Sequence, residues 1–190
     1  MTLLTSKVAS KIAGMEEPGT TTGDMDDVNR SIRRHNPQTD RHPYTVEDVG
    51  KAINENPIAS EAYQRITDQG YNVRINHDRP PDSNQMGLTR KESNNVEIWE
   101  MNNWNKESVI GTMVHESVHV DFRFRKRIRN NTRYEEFRAF VREEMYRNSI
   151  NSQSTQLRPT LQRRYEIWDE VNQRYPELDE GKYPFGGARK

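Results

Sequence analysis

The sequence predicts a mostly helical α+β domain in which a small antiparallel or mixed sheet lies beside one long helix. Several stretches place apolar residues three and four positions apart, which is the spacing of one helix face. Two shorter stretches alternate apolar and polar residues, as half-buried strands do. The longest helical pattern holds His115 and His119 four residues apart, with Glu116 directly after the first histidine.

The composition is that of one domain with polar flanking segments. Only 31% of the 190 residues are hydrophobic and another 31% are charged, so part of the chain is expected to lie outside the core. The formal net charge is zero, which gives no general attraction to nucleic acid or membranes, and we expect neither as a partner. The chain has no cysteine, which excludes disulfides and thiolate metal ligands.

Three segments are predicted along the chain. Residues 1–42 are expected to be flexible, because they are polar and have no periodic apolar face after Ile12. They also lack the continuous apolar core of a general secretory signal peptide. The folded domain is expected over residues 43–176, and a Gly-rich tail over residues 177–190 is expected to be mobile.

Two helices are expected at the start of the domain. The first should run from Thr45 to Asn54, because Thr45 can cap it and acidic residues follow in its first turn. The Asn-Pro pair at positions 56–57 breaks this helix. A second helix is expected from Ser60 to Asp68.

Two strands are predicted after these helices. The first covers residues 71–77, where apolar residues alternate with polar ones. The second runs from Val96 to Met101, with Val96 and Ile98 on one face and Trp99 and Met101 on the other. Because this strand directly precedes the long helix, we expect the sheet to lie beside that helix.

The long helix is expected to be apolar on one side and to present both imidazoles on the other. Residues four apart lie one above the other on a helix, so His115 and His119 project from the same face. Two neutral imidazoles so placed can bind one zinc ion, with Glu116 beside them holding a water. A histidine pair without metal, exposed or hydrogen-bonded in the core, is the alternative.

The helix expected over residues 133–147 can supply a third metal ligand. Its apolar residues at positions 137, 140 and 141 define the inward face. Glu136 lies about a quarter turn from the centre of that face, whereas Glu135 lies nearly opposite and is expected in solvent. We therefore predict Glu136 as the ligand, with Glu144 as the alternative.

A last amphipathic helix is expected from Thr160 to Pro176. Its inward residues are predicted to be Leu161, Tyr165, Trp168 and Val171.

The segment His115-Glu116-Ser117-Val118-His119 resembles the active helix of the zincin metallopeptidases. Glu136-Phe137-Arg138-Ala139 is similar to the Glu-x-x-Ala of their glutamate-ligand members. The resemblance implies a minimal zincin-like domain with one Zn²⁺ per chain, held by His115, His119 and Glu136. It also implies that Glu116 is the catalytic base. Ser117 departs from the family pattern, in which a bulky apolar residue is usual at that position.

This resemblance implies a zinc-dependent endopeptidase that hydrolyses peptide bonds of a protein substrate. The small size is similar to that of single-domain zinc proteases which bacteria export as effectors or toxins. We therefore expect a monomer that is exported without a cleaved general signal peptide and acts in a target or host cell; a cytoplasmic location is the alternative. An extended substrate is expected to pair with the strand from Val96 to Met101. The candidates for stabilising the oxyanion of the reaction are His77, Tyr134, Tyr146 and Tyr165.

A non-enzymatic binding module is the alternative function. The run from Arg123 to Arg129 is strongly basic and could contact an acidic partner. The same run is also typical of the solvated end of a helix, where cations suit the helix C-terminus.

Overall fold

The computed structural model describes residues 44–185, apart from residues 91, 104, 127–130, 152–153 and 155 and the side chains of residues 124–126. The predicted flexible segment 1–42, the last five residues of the predicted tail and most of the basic run lie outside the described residues. The described part has five α-helices: α1 (Val46–Glu55), α2 (Pro57–Asp68), α3 (Lys106–Lys126), α4 (Arg133–Ile150) and α5 (Leu161–Arg174). None of them is long and apolar enough to cross a membrane.

Three strands form one mixed sheet, which confirms the predicted α+β class. They are β1 (Asn72–Asn76), β2 (Gly87–Arg90) and β3 (Asn95–Trp99), in the order β1-β3-β2. β3 pairs in parallel with β1 and antiparallel with β2. β2 was not predicted, because its four residues are too few to show an alternating pattern.

The central position of β3 corrects one expectation about the substrate. Both edges of β3 are occupied by neighbouring strands, and the predicted strand turns into a 3-10 helix, Glu100–Asn102, before it reaches the long helix. The expectation that an extended substrate pairs with residues 96–101 is therefore wrong. An exposed edge is needed for such pairing, and β3 has none.

The first two helices begin at side-chain caps. Thr45 and Asp48 form the reciprocal bonds of a capping box, so α1 begins where the sequence predicted. α2 begins at Pro57 and not at Ser60. The reason is Asn56, whose side-chain oxygen accepts hydrogen bonds from two backbone N–H groups in the first turn of α2.

The main core lies between the sheet, α1, α2 and the apolar side of α3. Its fully buried members include Ile66, Val96, Ile98, Ile110 and Val114. Burying the apolar surface of these side chains stabilises the domain by about 25 cal/mol per Å². It also fixes α3 along its length, so the histidine-bearing face is turned away from the sheet and towards α4.

α4 is buried on two sides, and only one of them is apolar. Phe137 packs against α5, where Ile167, Trp168 and Val171 are buried. Another side of α4 packs against α3 and buries Glu135, Ala139, Glu143 and Tyr146. The expectation that Glu135 lies in solvent is therefore wrong, since only 1% of this residue is exposed. A helical wheel based on apolar residues identifies the first side but not the second.

The last helix and the segment after it also differ from the prediction. Leu161 and Tyr165, predicted to face inward, are 59% and 40% exposed.

The backbone N–H groups of Arg133 and Tyr134 donate to carbonyl oxygens of residues 179 and 180. Those bonds cap the first turn of α4, which has no partners of its own for these donors.

Two aromatic residues hold the same segment onto the domain. Tyr183 and Phe185 pack on the cluster of α4 and α5, where the Phe185 ring stacks on Tyr165 with centroids 4.0 Å apart. The Phe185 ring also meets the Phe137 ring at 5.7 Å. Residues 177–185 therefore belong to the folded domain, and the predicted boundary at residue 176 is wrong.

Replacing Phe185 tests this extension of the domain. Phe185→Ala should lower the free energy of unfolding by about 2 kcal/mol, less than the loss for a fully buried phenylalanine, because the ring is only partly buried. Chemical denaturation measures the change. Leu157→Ala, at a side chain that is 54% exposed, is the control and should change stability by less than about 0.5 kcal/mol. Equal effects of the two substitutions would contradict the packing of Phe185.

Candidate metal centre

The histidine helix is tied to the sheet by the buried residue Asn103. Its side-chain amide donates to the carbonyl oxygens of Trp99, at 2.7 Å, and Met86, at 3.1 Å. Its side-chain oxygen accepts from the hydroxyl groups of Ser108 and Thr112 on α3. One fully buried amide thus fixes the start of α3 against both the end of β3 and the residue before β2.

His115, His119 and Glu136 form one buried cluster between α3 and α4. The Nε2 atom of His115 lies 3.4 Å from Glu136 Oε2, and the Nε2 atom of His119 lies 3.5 Å from Glu136 Oε1. The three residues offer ligand atoms that all lie within 4.8 Å of one another. Bonds of about 2.0–2.1 Å at the tetrahedral angle place two ligand atoms roughly 3.3 Å apart. The cluster therefore has the donor types and the spacing that hold a metal ion.

The second nitrogen of each imidazole faces another carboxylate of α4. His119 Nδ1 lies 2.7 Å from Glu135 Oε1, and His115 Nδ1 lies 3.3 Å from Glu143 Oε2. Such carboxylates fix the ring orientation and the tautomer of a metal-binding histidine and raise its basicity. Both Nε2 atoms are thereby directed towards Glu136. Neither Glu135 nor Glu143 was predicted in this role.

The carboxylates around His115 favour a positive charge at the centre of the cluster. Burial, the largest influence, lowers the pKa of this imidazole. Hydrogen bonds to Glu136 and Glu143 oppose burial, and with the nearby charge of Glu116 they raise the pKa to about 10. A metal ion bound here competes with that proton, since a ligating imidazole must be neutral.

The surroundings of His119 and Glu136 also favour the charged forms of these two side chains. Burial lowers the pKa of His119, but its bond to Glu135 and the neighbouring negative charges raise it overall. Burial raises the pKa of Glu136, but the two imidazoles hold it below its usual range. The two imidazoles therefore keep Glu136 ionised, which is the form that binds a metal ion.

Glu116 lies on the side of the cluster that faces β2. The hydroxyl of Thr89 donates to Glu116 Oε2 at 2.6 Å, so this oxygen is held by the strand. The other oxygen, Oε1, lies against Gly87, where an added Cβ would come within 2.9 Å of it and within 2.5 Å of the Thr112 side chain. Glycine at position 87 thus permits the close approach of β2 to α3.

The four predicted site residues, His115, Glu116, His119 and Glu136, lie together in the structure. Glu144, the alternative third ligand, is directed away and accepts a hydrogen bond from Arg163 on α5 at 3.2 Å.

The buried Ser117, which departs from the zincin pattern, donates its hydroxyl to the carbonyl oxygen of Val114 at 2.7 Å. Serine is therefore accommodated at that position without an unsatisfied polar group.

The predicted oxyanion candidates have other contacts. His77 pairs with Glu100, and the exposed Tyr165 stacks on Phe185. Tyr134 accepts a hydrogen bond from Arg138, and burial together with the charge of Glu107 raises the pKa of Tyr146. Among the described contacts, none of these four residues touches the histidine cluster.

Tyr175 is a residue near the cluster that the sequence analysis missed. It follows α5, and the guanidinium of the preceding Arg174 lies over the Phe140 ring, whose centroid is 4.7 Å from that of His115. Burial and then the charge of Glu136 raise the pKa of the Tyr175 hydroxyl to about 12. The hydroxyl therefore keeps its proton and remains a hydrogen-bond donor.

No protein-family model matches the chain, and comparisons with curated proteins and with solved structures likewise give no match. The function is therefore inferred from the geometry of the cluster.

The role of Glu135 can be tested against Glu144 on the same helix. Glu135→Gln should weaken metal binding, measured with zinc as the probe, by about 10-fold or more, because the neutral amide no longer polarises His119. Glu144→Gln removes the same charge, but that carboxylate pairs with Arg163, so zinc affinity should be unchanged. Competition against a chelator measures both affinities. Equal affinities in the two variants would show that His119 does not depend on Glu135.

Proposed function

We propose that this chain is a zinc-dependent endopeptidase of the zincin type. The observation that supports it most is the spacing of Glu136 from the two Nε2 atoms, with the separate carboxylate of Glu116 held beside them. Two imidazoles and a carboxylate are ligands that zinc accepts, and three protein ligands leave the open position of a catalytic site. Structural zinc sites usually close all four positions with protein ligands.

Glu116 is the proposed general base of peptide hydrolysis. When bound, the zinc ion supplies Lewis-acid catalysis by activating water and polarising the scissile carbonyl. Glu116 Oε2 is engaged by Thr89, which leaves Oε1 to accept the proton of the attacking water and then pass it to the leaving amine. The bond from Thr89 also fixes the carboxylate in one orientation, as catalysis by a positioned base requires.

The edge of β2 is the proposed binding site for an extended substrate. The backbone N–H of Trp99 donates to the Met86 carbonyl. Hydrogen-bonded and non-hydrogen-bonded residue pairs alternate along an antiparallel ladder. Gly87 and Thr89 therefore direct their backbone N–H and C=O groups away from β3. Arg123 already donates to the carbonyl of Thr89. Gly87 is then the residue that offers its N–H and C=O to a substrate strand, directly beside Glu116 Oε1.

The contact of Arg123 also bears on the alternative function. This first residue of the basic run is held at the site by its bond to β2, so it is engaged within the domain. The proposed enzyme therefore uses Arg123 to limit the free edge of β2.

The small size of the domain supports the further proposal that it is an exported bacterial effector or toxin that cleaves a protein of another cell.

Tyr175 is the proposed donor to the oxyanion. Tyr175 is partly buried directly after α5, and burial together with the negative charges of Glu136, Glu116 and Glu143 raises the pKa of its hydroxyl. A donor aimed at the developing negative charge of a tetrahedral intermediate is a large contribution to such reactions.

Glu116→Gln tests the peptidase mechanism. The variant should keep its fold and its zinc but lose at least about 10²-fold in turnover, because the amide cannot accept the proton of water. Turnover is measured on a fluorescence-quenched peptide library, with bound zinc measured on the same samples. Wild-type turnover in the Glu116→Gln variant would contradict the proposed mechanism.

Tyr175→Phe tests the oxyanion donor. Removing the hydroxyl should lower kcat by about 10²-fold with little change in KM, because the interaction is made mainly in the transition state. Tyr165→Phe is the matched control, since that ring is 40% exposed and stacks on Phe185. If the two variants have the same kcat as the wild type, Tyr175 is not the donor.

A further inference from the structure

A cavity lies on the opposite face of α4 from Glu136 and Glu143. Its volume is about 420 Å³, which is within the range of about 300–1,000 Å³ for small-molecule sites. We call it the arginine cavity because five of its lining residues are Arg65, Arg138, Arg142, Arg158 and Arg164. His115, His119 and Glu136 do not line it.

The cations of this cavity exceed the anions that neutralise them. Arg65 and Arg142 both pair with the single carboxylate of Glu61, at 2.6 Å each. Asp121 is the one acidic residue of the lining. Five guanidinium groups thus face two carboxylates, an excess of three positive charges within the part of the chain that the structure describes. So high a local charge favours an anion that carries more than one negative charge.

The arginines come from separate segments and meet at one place. Arg65 belongs to α2, Arg138 and Arg142 to α4, and Arg164 to α5, while Arg158 precedes α5. Convergence from four segments differs from the charged, solvated face of a single helix. Guanidinium groups bind phosphate oxygens in a bidentate manner, which suits a cluster of this kind to phosphate groups.

The floor of the cavity is apolar and partly aromatic. It includes Phe122, Tyr134, Phe137, Val141 and Met145. The guanidinium of Arg164 lies 6.0 Å from the Phe137 ring centroid, so a cation already lies over this floor. A ligand with charged groups at the arginines and a flat apolar body on the floor fits both parts of the lining.

We propose that the arginine cavity binds a small diphosphate compound with an aromatic body, of the nucleoside diphosphate class. A single carboxylate would leave most of the excess charge uncompensated, whereas two linked phosphates supply several negative charges to the converging guanidinium groups. The arginine cavity is separate from the cluster of His115, His119 and Glu136, so binding in the cavity does not require zinc.

Titration calorimetry on the full chain tests the proposal with ADP, pyrophosphate and adenosine as probes at constant ionic strength. ADP should bind saturably, adenosine should bind at least about 10-fold more weakly, and pyrophosphate should lie between them, because phosphates provide the charge and the ring provides the apolar contact. The double variant Arg138→Gln/Arg158→Gln should weaken ADP binding by at least about 10-fold. Both side chains are exposed, so the fold should be kept.

The matched control is Arg74→Gln/Arg79→Gln, which removes two exposed arginines outside the cavity lining. It should bind ADP as the wild type does. The proposal is overturned if ADP shows no saturable binding at millimolar concentration, if adenosine binds as tightly as ADP, or if the control variant loses affinity as much as the cavity variant. Thermal melts of both variants without ligand establish that each is folded.

Discussion

The carboxylate of Glu136, placed between two imidazoles of α3, is the constraint on which the site depends. Burying that carboxylate and two histidines is unfavourable unless each finds a partner. Glu135 and Glu143 provide partners for the outer nitrogens, and Glu136 provides one for both inner nitrogens. Four polar contacts thus hold α4 on α3 where apolar packing would otherwise be expected. An arrangement of this kind keeps the ligand atoms in place for a metal ion before it binds.

The small sheet serves the same site from the other side. β3 and the residue Asn103 fix the start of α3, while β2 approaches α3 so closely that position 87 has no room for a side chain. That approach lets Thr89 orient Glu116, and it leaves the free edge of β2 beside the carboxylate. The proposed base and the proposed substrate edge are therefore positioned by one strand of four residues.

The sequence was sufficient for features that depend on local periodicity. The helical spacing of His115 and His119 and the placement of Glu136 near the inward face of α4 both follow from 3.6 residues per turn. Glu135 could not be predicted in this way, because its burial results from a second packing face that is lined by charged residues. β2 and the contacts of Phe185 depend on partners distant in the chain, which no local pattern records. Tyr175 was missed for the same reason.

The most direct test is the zinc content and coordination of the purified wild-type chain. X-ray absorption at the zinc edge distinguishes imidazole nitrogen and carboxylate oxygen ligands and reports their distances from the metal. The account predicts one zinc per chain, bound by two imidazoles at about 2.0–2.1 Å and by a carboxylate, with one position not filled by protein. A folded chain that does not retain zinc after it is supplied, or a zinc ion without two imidazole ligands, would contradict it.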